Sequence, residues 1–147
     1  MKGKQNKQWS ETLGVQRNAQ ICLPRMAQAW IEEGTELAVA AASPAAMHRF
    51  RLRTKALRYT LELFRPCYGP GFEAKLGALQ GIQQLLGDVN DAVSAARMLP
   101  RTARARAVIE RRAEAKALEF RKDWTAVFDA PGQERLWIRY LSRPVER

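Results

Sequence analysis

The chain has 147 residues, 46% of them hydrophobic, with 7 Pro and 9 Gly. That size and makeup favour one globular domain that needs no metal or disulfide staple. Its 25 Lys and Arg outnumber 15 Asp and Glu, a formal charge of +10, which points to a polyanionic partner: nucleic acid, polyphosphate or an anionic membrane surface. The N-terminus lacks an apolar core and no run approaches 18 apolar residues, which argues against a secretory signal and a membrane span, and no membrane partner is expected. Cys22 and Cys67 lie far apart without metal-ligand spacing, so no metal is expected. A single disulfide is arithmetically allowed, and a reducing cytoplasm is the simplest home.

Residues 1–20 are polar and aperiodic, and are expected to be a flexible basic tail before a helical domain over 21–147. A first helix is predicted from Met26 to about Ala42, rich in alanine and carrying Trp30, Ile31 and Leu37, with Gly34 as a weak point. Ser43-Pro44 then reads as an N-cap followed by a proline in the first helical position. The second helix should run to Arg65, with Pro66 ending it and YGPG at 68–71 forming a turn. Phe50, Leu57, Leu61 and Phe64 are its expected buried stripe, broadened by Leu52, Ala56 and Leu63.

A third helix starts near Phe72 and aligns Leu76, Leu79, Ile82, Leu86, Val89 and Val93 at spacings of three and four. Gly87 interrupts it, as a tolerated defect or a close-approach site. A fourth, opened by Pro100 and running to Phe128, gathers Ile109, Ala113, Ala117, Phe120, Trp124 and Val127 on one arc. Arg101, Arg104, Arg111, Arg112 and Lys122 gather on the opposite one. A short last helix, Gln133 to Leu141, can pack back on the bundle. Alternating β-branched residues are absent, so no sheet is expected.

The positive charge is concentrated. Positions 47–66 hold six basic residues against one acidic, and 97–122 nine against three, whereas 26–46 hold none against three. On the second helix His48, Arg51, Lys55 and Arg58 share an arc of roughly 80°, with Glu62 one turn later. Cations stacked this way repel one another, and a polyanion turns the repulsion into attraction. Phosphate suits the donors, because arginine grips two oxygens while lysine supplies a mobile point charge. His48 adds a further donor when it charges at slightly acidic pH. A solvated charged face is the plainer reading of the same arc, and the scarcity of nearby acidic residues favours binding over it.

The stretch MHRFRLRTKALRYTLELF at 47–64, followed by LQGIQQLLGDVNDAVSA at 79–95, resembles the CHAD domain, the conserved histidine α-helical domain. The similarity covers most of 26–128. Family members are all-helical, bind inorganic polyphosphate through a basic surface, and sometimes accompany a triphosphatase domain. The resemblance implies an all-α, four-helix bundle-like half-domain with long basic helices. It assigns polyanion binding to His48, Arg51, Lys55, Arg58 and Tyr59, and gives Asp91 the task of orienting a basic side chain across a helix pair. The usual domain has two related halves, each with its own basic helix. This chain shows one such motif, similar to that of the C-terminal half, and lacks the Glu-x-Glu-x-Lys signature of the triphosphatase partner.

The expected function is therefore binding of inorganic polyphosphate, with Arg104, Arg111 and Lys122 on the fourth helix adding to the basic surface, no cofactor and no catalytic residue. Sequence-independent RNA or DNA binding is the alternative, although it normally recruits exposed aromatic platforms, and here Tyr59 and Trp9 are the only suggestive ones. Hydrolysis of a phosphoanhydride ranks third: it wants clustered carboxylates, and only Asp88 and Asp91 stand at a suitable spacing. A symmetric homodimer that rebuilds the missing half is a further expectation.

Overall fold

A computed structural model describes residues 9–39 and 42–145. They form five helices and no strand: α1 (Val15–Val39), α2 (Pro44–Leu63), α3 (Phe72–Arg97), α4 (Arg104–Val127) and α5 (Gln133–Leu141), with a single 3-10 turn at Arg65–Cys67 after α2. Helix α3 packs between α2 and α4, while α1 lies against α2, α4 and α5. The all-α expectation holds, but the four-helix count does not. Helix α5 buries Trp137 and Leu141 and is a full member of the bundle.

Local chemistry explains most boundaries. Ser43 caps α2 by accepting the amide N–H of Ala46 at 3.1 Å, and Pro44 follows in the first turn. Gly71 and Gly132, each with positive φ, stand before α3 and α5, in a backbone conformation that a side chain would strain. Helix α4 opens later than Pro100 suggested: the Ala103 amide closes a turn on the Pro100 carbonyl at 3.0 Å, and the helix begins at Arg104.

The largest departure is at the N-terminus. Helix α1 starts at Val15, not Met26, and carries Pro24 buried inside it, a residue that usually marks a helix start. Ala19, Cys22 and Leu23 from this added length are buried. The preceding loop is tied down by Asn18, which exchanges hydrogen bonds with the Ser10 backbone at 2.9 and 3.0 Å. Trp9 stacks on Phe64 with ring centroids 5.2 Å apart. The flexible-tail expectation for residues 1–8, like the expected helical ending at residues 40–41, lies outside the described residues.

An aromatic cluster forms the core. Trp30 of α1 contacts the rings of Phe50, Trp124, Phe128 and Trp137. It draws four helices and the turn after α4 onto one point, and large rings contribute the most apolar area per residue. On α2 the buried face is narrower than the sequence pattern implied. Phe50, Leu57 and Leu61 are buried, but Leu52 and Leu63 are 49% and 79% exposed and Ala56 is exposed. Helix α2 packs mainly on α1 and α3 and reaches α4 through Phe50, and the broadening leucines face outward on the same side as Tyr59. On α4 the predicted stripe buries Ala113, Phe120 and Trp124, whereas Val127 is exposed.

Candidate anion-binding cleft

Because α2 and α3 are consecutive and antiparallel, the basic arc of α2 runs along a seam with α3. The middle of that seam is an open cleft of about 350 Å³ lined by Arg51 and Arg58 from α2 and by Gln80, Gln83, Gln84, Gly87 and Asp91 from α3. The two arginines stand two turns apart, roughly 10 Å along the helix axis. Gly87 forms part of the floor. A Cβ there would meet Arg51 Nε at 3.5 Å, an ordinary contact, so the guanidinium lies against this part of α3. Of the two readings of Gly87, tolerated defect is the one the structure favours, since a Cβ would make only an ordinary contact with the flexible Arg51 side chain.

The polar groups of this cleft are incompletely satisfied. Arg51 Nε, Arg58 Nε and Gln83 Oε1 are buried and have no hydrogen-bond partner among the described residues, and all three residues line the same walls. A buried polar atom without a partner costs about 1–3 kcal/mol, more when the group is charged, so a ligand that supplies partners is favoured there. Arg58 is partly restrained. Its Nε lies 3.7 Å from Glu62 Oε1, and its guanidinium stands 4.8 Å from the Tyr59 ring centroid, which leaves the tyrosine as a half-exposed shelf.

The remaining predicted residues distribute as follows. His48 is exposed and lines a separate hollow one turn further along the same seam, with Asn90, Ser94 and Arg97. Lys55 is half-buried, and neither it nor His48 forms an ion pair or side-chain hydrogen bond among the described residues. Asp91 lies in the cleft beside Arg51 and Arg58 but makes no ion pair with a basic side chain among the described residues. Arg104, Arg111 and Lys122 are exposed on the arc of α4 opposite Ala113, Phe120 and Trp124, and do not line the cleft. Arg53, off the main arc, pairs with Glu33 of α1.

Sequence reasoning missed Gln80, Gln83 and Gln84. The signal was present: Gln80, Gln84, Gly87 and Asp91 follow spacings of four, three and four, a polar stripe on a helix whose other stripe is apolar. Among the described residues no group of three or more His, Cys, Asp or Glu side chains is arranged to hold a metal ion, no disulfide joins the two cysteines, and no helix is long and apolar enough to cross a membrane.

These features define an all-helical module with a cationic, partly desolvated cleft between two adjacent helices. The model of the CHAD domain family matches residues 4–100, and the chain belongs to that family. The match reaches further toward the N-terminus than the residues that carried the resemblance, taking in α1, and ends before α4. No curated protein and no solved structure matches the chain.

Proposed function

We propose that this protein binds inorganic polyphosphate along the α2–α3 seam, with Arg51 and Arg58 gripping phosphate oxygens in the cleft and Lys55 and His48 extending the cationic track. The observation that carries the reading is the pair of buried arginine Nε atoms in one cleft that have no hydrogen-bond partner among the described residues, Arg58 having only a long ion pair with Glu62. A flexible anion with acceptor oxygens at every repeat can satisfy both across a 10 Å scale, which a single small anion cannot do. Family membership supports the same reading.

Sequence-independent nucleic-acid binding is the weaker alternative. Single strands favour successive stacking platforms, and among the described residues Tyr59, half exposed, is the aromatic residue that stands against this cleft's arginines. Competition across a salt series tests the choice. Long-chain polyphosphate is expected to displace labelled RNA at far lower phosphate-equivalent concentration than the reverse. RNA that resists displacement would reverse the assignment.

A homodimer belongs to the same proposal. Leu52, Tyr59 and Leu63 expose an apolar strip on α2 beside the basic arc, which a second copy can cover. Sedimentation with and without polyphosphate is the test: a lone species near 16.7 kDa in both conditions rejects it.

A further inference from the structure

The cleft carries two groups of the wrong character for a bare polyanion. The Asp91 carboxylate lines the same walls as Arg51 and Arg58 and is exposed. It makes no hydrogen bond or ion pair through its side chain among the described residues. Its neighbour one turn earlier is different. Asp88 accepts a hydrogen bond from Gln84 Nε2 at 3.0 Å and lies 3.8 Å from Lys116 Nζ of α4, so it is engaged in joining helices. Asp91, by contrast, forms no ion pair within 4 Å among the described residues. The second group is Gln83 Oε1, a buried acceptor with no hydrogen-bond donor among the described residues. A fully ionised polyphosphate offers only acceptors, so on its own it would be repelled by Asp91 and, with the Gln83 amide in this orientation, would leave Gln83 Oε1 unsatisfied.

Both discrepancies vanish if the anion arrives with its counter-ion. Mg²⁺ keeps most of its water and is typically held by phosphate oxygens with the help of one or two carboxylates, not by a cage of protein ligands. Its bound waters are strong donors, and a carboxylate and an amide oxygen are suitable acceptors for them. The protein has no cluster able to hold the ion alone among its described residues, which fits an ion carried by the ligand. We infer that the cleft takes its polyanion as a hydrated divalent-cation complex, the two arginines meeting phosphate oxygens while Asp91 and Gln83 meet the cation's waters. This rests on the phosphate-binding reading above.

The test is calorimetric titration of tripolyphosphate into the full chain at constant ionic strength, once in excess EDTA with K⁺ and once in excess Mg²⁺. Wild type, Asp91→Asn and the double variant Arg51→Gln/Arg58→Gln are compared, each first shown to be folded by circular dichroism. Removing the carboxylate charge is expected to tighten binding about threefold in EDTA, the scale of one exposed like-charge contact. In Mg²⁺ the same change is expected to weaken it about tenfold, the scale of a lost charge-assisted hydrogen bond. Mg²⁺ alone should give no saturable heat.

Tightening in both media would reduce Asp91 to a source of repulsion and overturn the inference, as would no change in either. Saturable binding of Mg²⁺ alone would also overturn it, because the metal would then belong to the protein. If wild type binds no tripolyphosphate in either medium, or the arginine double variant binds as well as wild type, the phosphate reading itself fails, a separate result.

Discussion

Thr54 of α2 accepts the indole N–H of Trp30 from α1 at 2.9 Å and donates its own hydroxyl proton to the Phe50 carbonyl one turn back at 2.8 Å. Thr54 is fully buried, so this bond fixes the rotation of α2 about its axis. With Thr54, Phe50, Leu57 and Leu61 turned inward, the 100° step per residue carries Arg51 and Arg58 toward α3. Thr54→Val keeps the shape but leaves the Trp30 N–H buried without an acceptor. The expected loss is about 1–3 kcal/mol of unfolding free energy, measured in urea. A loss indistinguishable from zero would mean that the hydroxyl contributes nothing.

Gly34 shows how tightly the aromatic centre is built. A Cβ added there would lie 2.0 Å from Trp124 Cζ2 and 2.1 Å from Cη2. The indole has nowhere to retreat, being packed by Trp30, Phe50 and Phe128 and donating its N–H to the Thr35 hydroxyl at 3.1 Å. Gly34→Ala should therefore destabilise by about 1–3 kcal/mol or more, despite alanine's better helix propensity. Gly81→Ala is the contrast. Nothing lies within 4 Å of its added Cβ, and a gain of about 0.5–1 kcal/mol is expected. Thermal unfolding of the two variants should move in opposite directions.

These glycines illustrate what the sequence could convey. The periodicity of α3 and the Ser43-Pro44 cap were legible because each is a local pattern with a local cause. Gly34 read as a weak helix position because its reason, the Trp124 ring, comes from a helix far along the chain. The start of α1 was hidden in the same way: residues 1–20 show no local period, and burial of Ala19, Cys22 and Leu23 against other helices carries the helix through Pro24 despite that residue's local preference. The basic arc was legible too, yet its division was not. Which cations face a neighbouring helix and which face solvent depends on where α3 packs, and that places Arg51 and Arg58 in a cleft while His48 lines a separate hollow.

Two sets of cations make separable predictions about binding. Arg51→Gln and Arg58→Gln remove donors from the cleft, and each should weaken polyphosphate binding by about tenfold, with fewer ions released and a shallower salt dependence. Arg104→Ala, Arg111→Ala and Lys122→Ala combined remove three charges from the far face of α4, with a smaller expected effect confined to low salt. Equal losses from both sets, measured by titration at several salt concentrations, would mean that the charge of the whole surface matters and the cleft does not.

The last prediction concerns alkaline stability and the contacts that clasp α5. Tyr68 donates its phenolic proton to the Leu141 carbonyl at 2.8 Å, and Tyr140 donates to the carbonyls of Gly69 and Pro70 at 3.1 and 3.0 Å. Burial pushes the Tyr68 hydroxyl well above its ordinary pKa, with smaller upward contributions from Cys67 and Tyr140, and burial also raises Tyr140. Lys75, whose ammonium lies 4.8 and 4.7 Å from the ring centroids of Trp137 and Tyr140, is shifted down by burial. The signs oppose. Above the tyrosines' ordinary value of 10.0 the unfolded chain releases phenolic protons that the folded chain keeps. Their stabilising contribution is thus complete below that pH and is lost as pH climbs through the folded values. For Lys75 the folded state gives up its proton first, so its contribution grows from the lowered value up to its ordinary 10.5. Urea midpoints measured in steps from pH 8 to 12 should therefore rise slightly and then fall beyond the tyrosines' ordinary value. Lys75→Met should flatten the rise. Tyr68→Phe should lower the midpoint at pH 8, through the lost hydrogen bond to Leu141, and reduce the fall at high pH. A Tyr68→Phe profile that runs parallel to wild type at every pH would show that this phenol does not couple folding to its own ionisation.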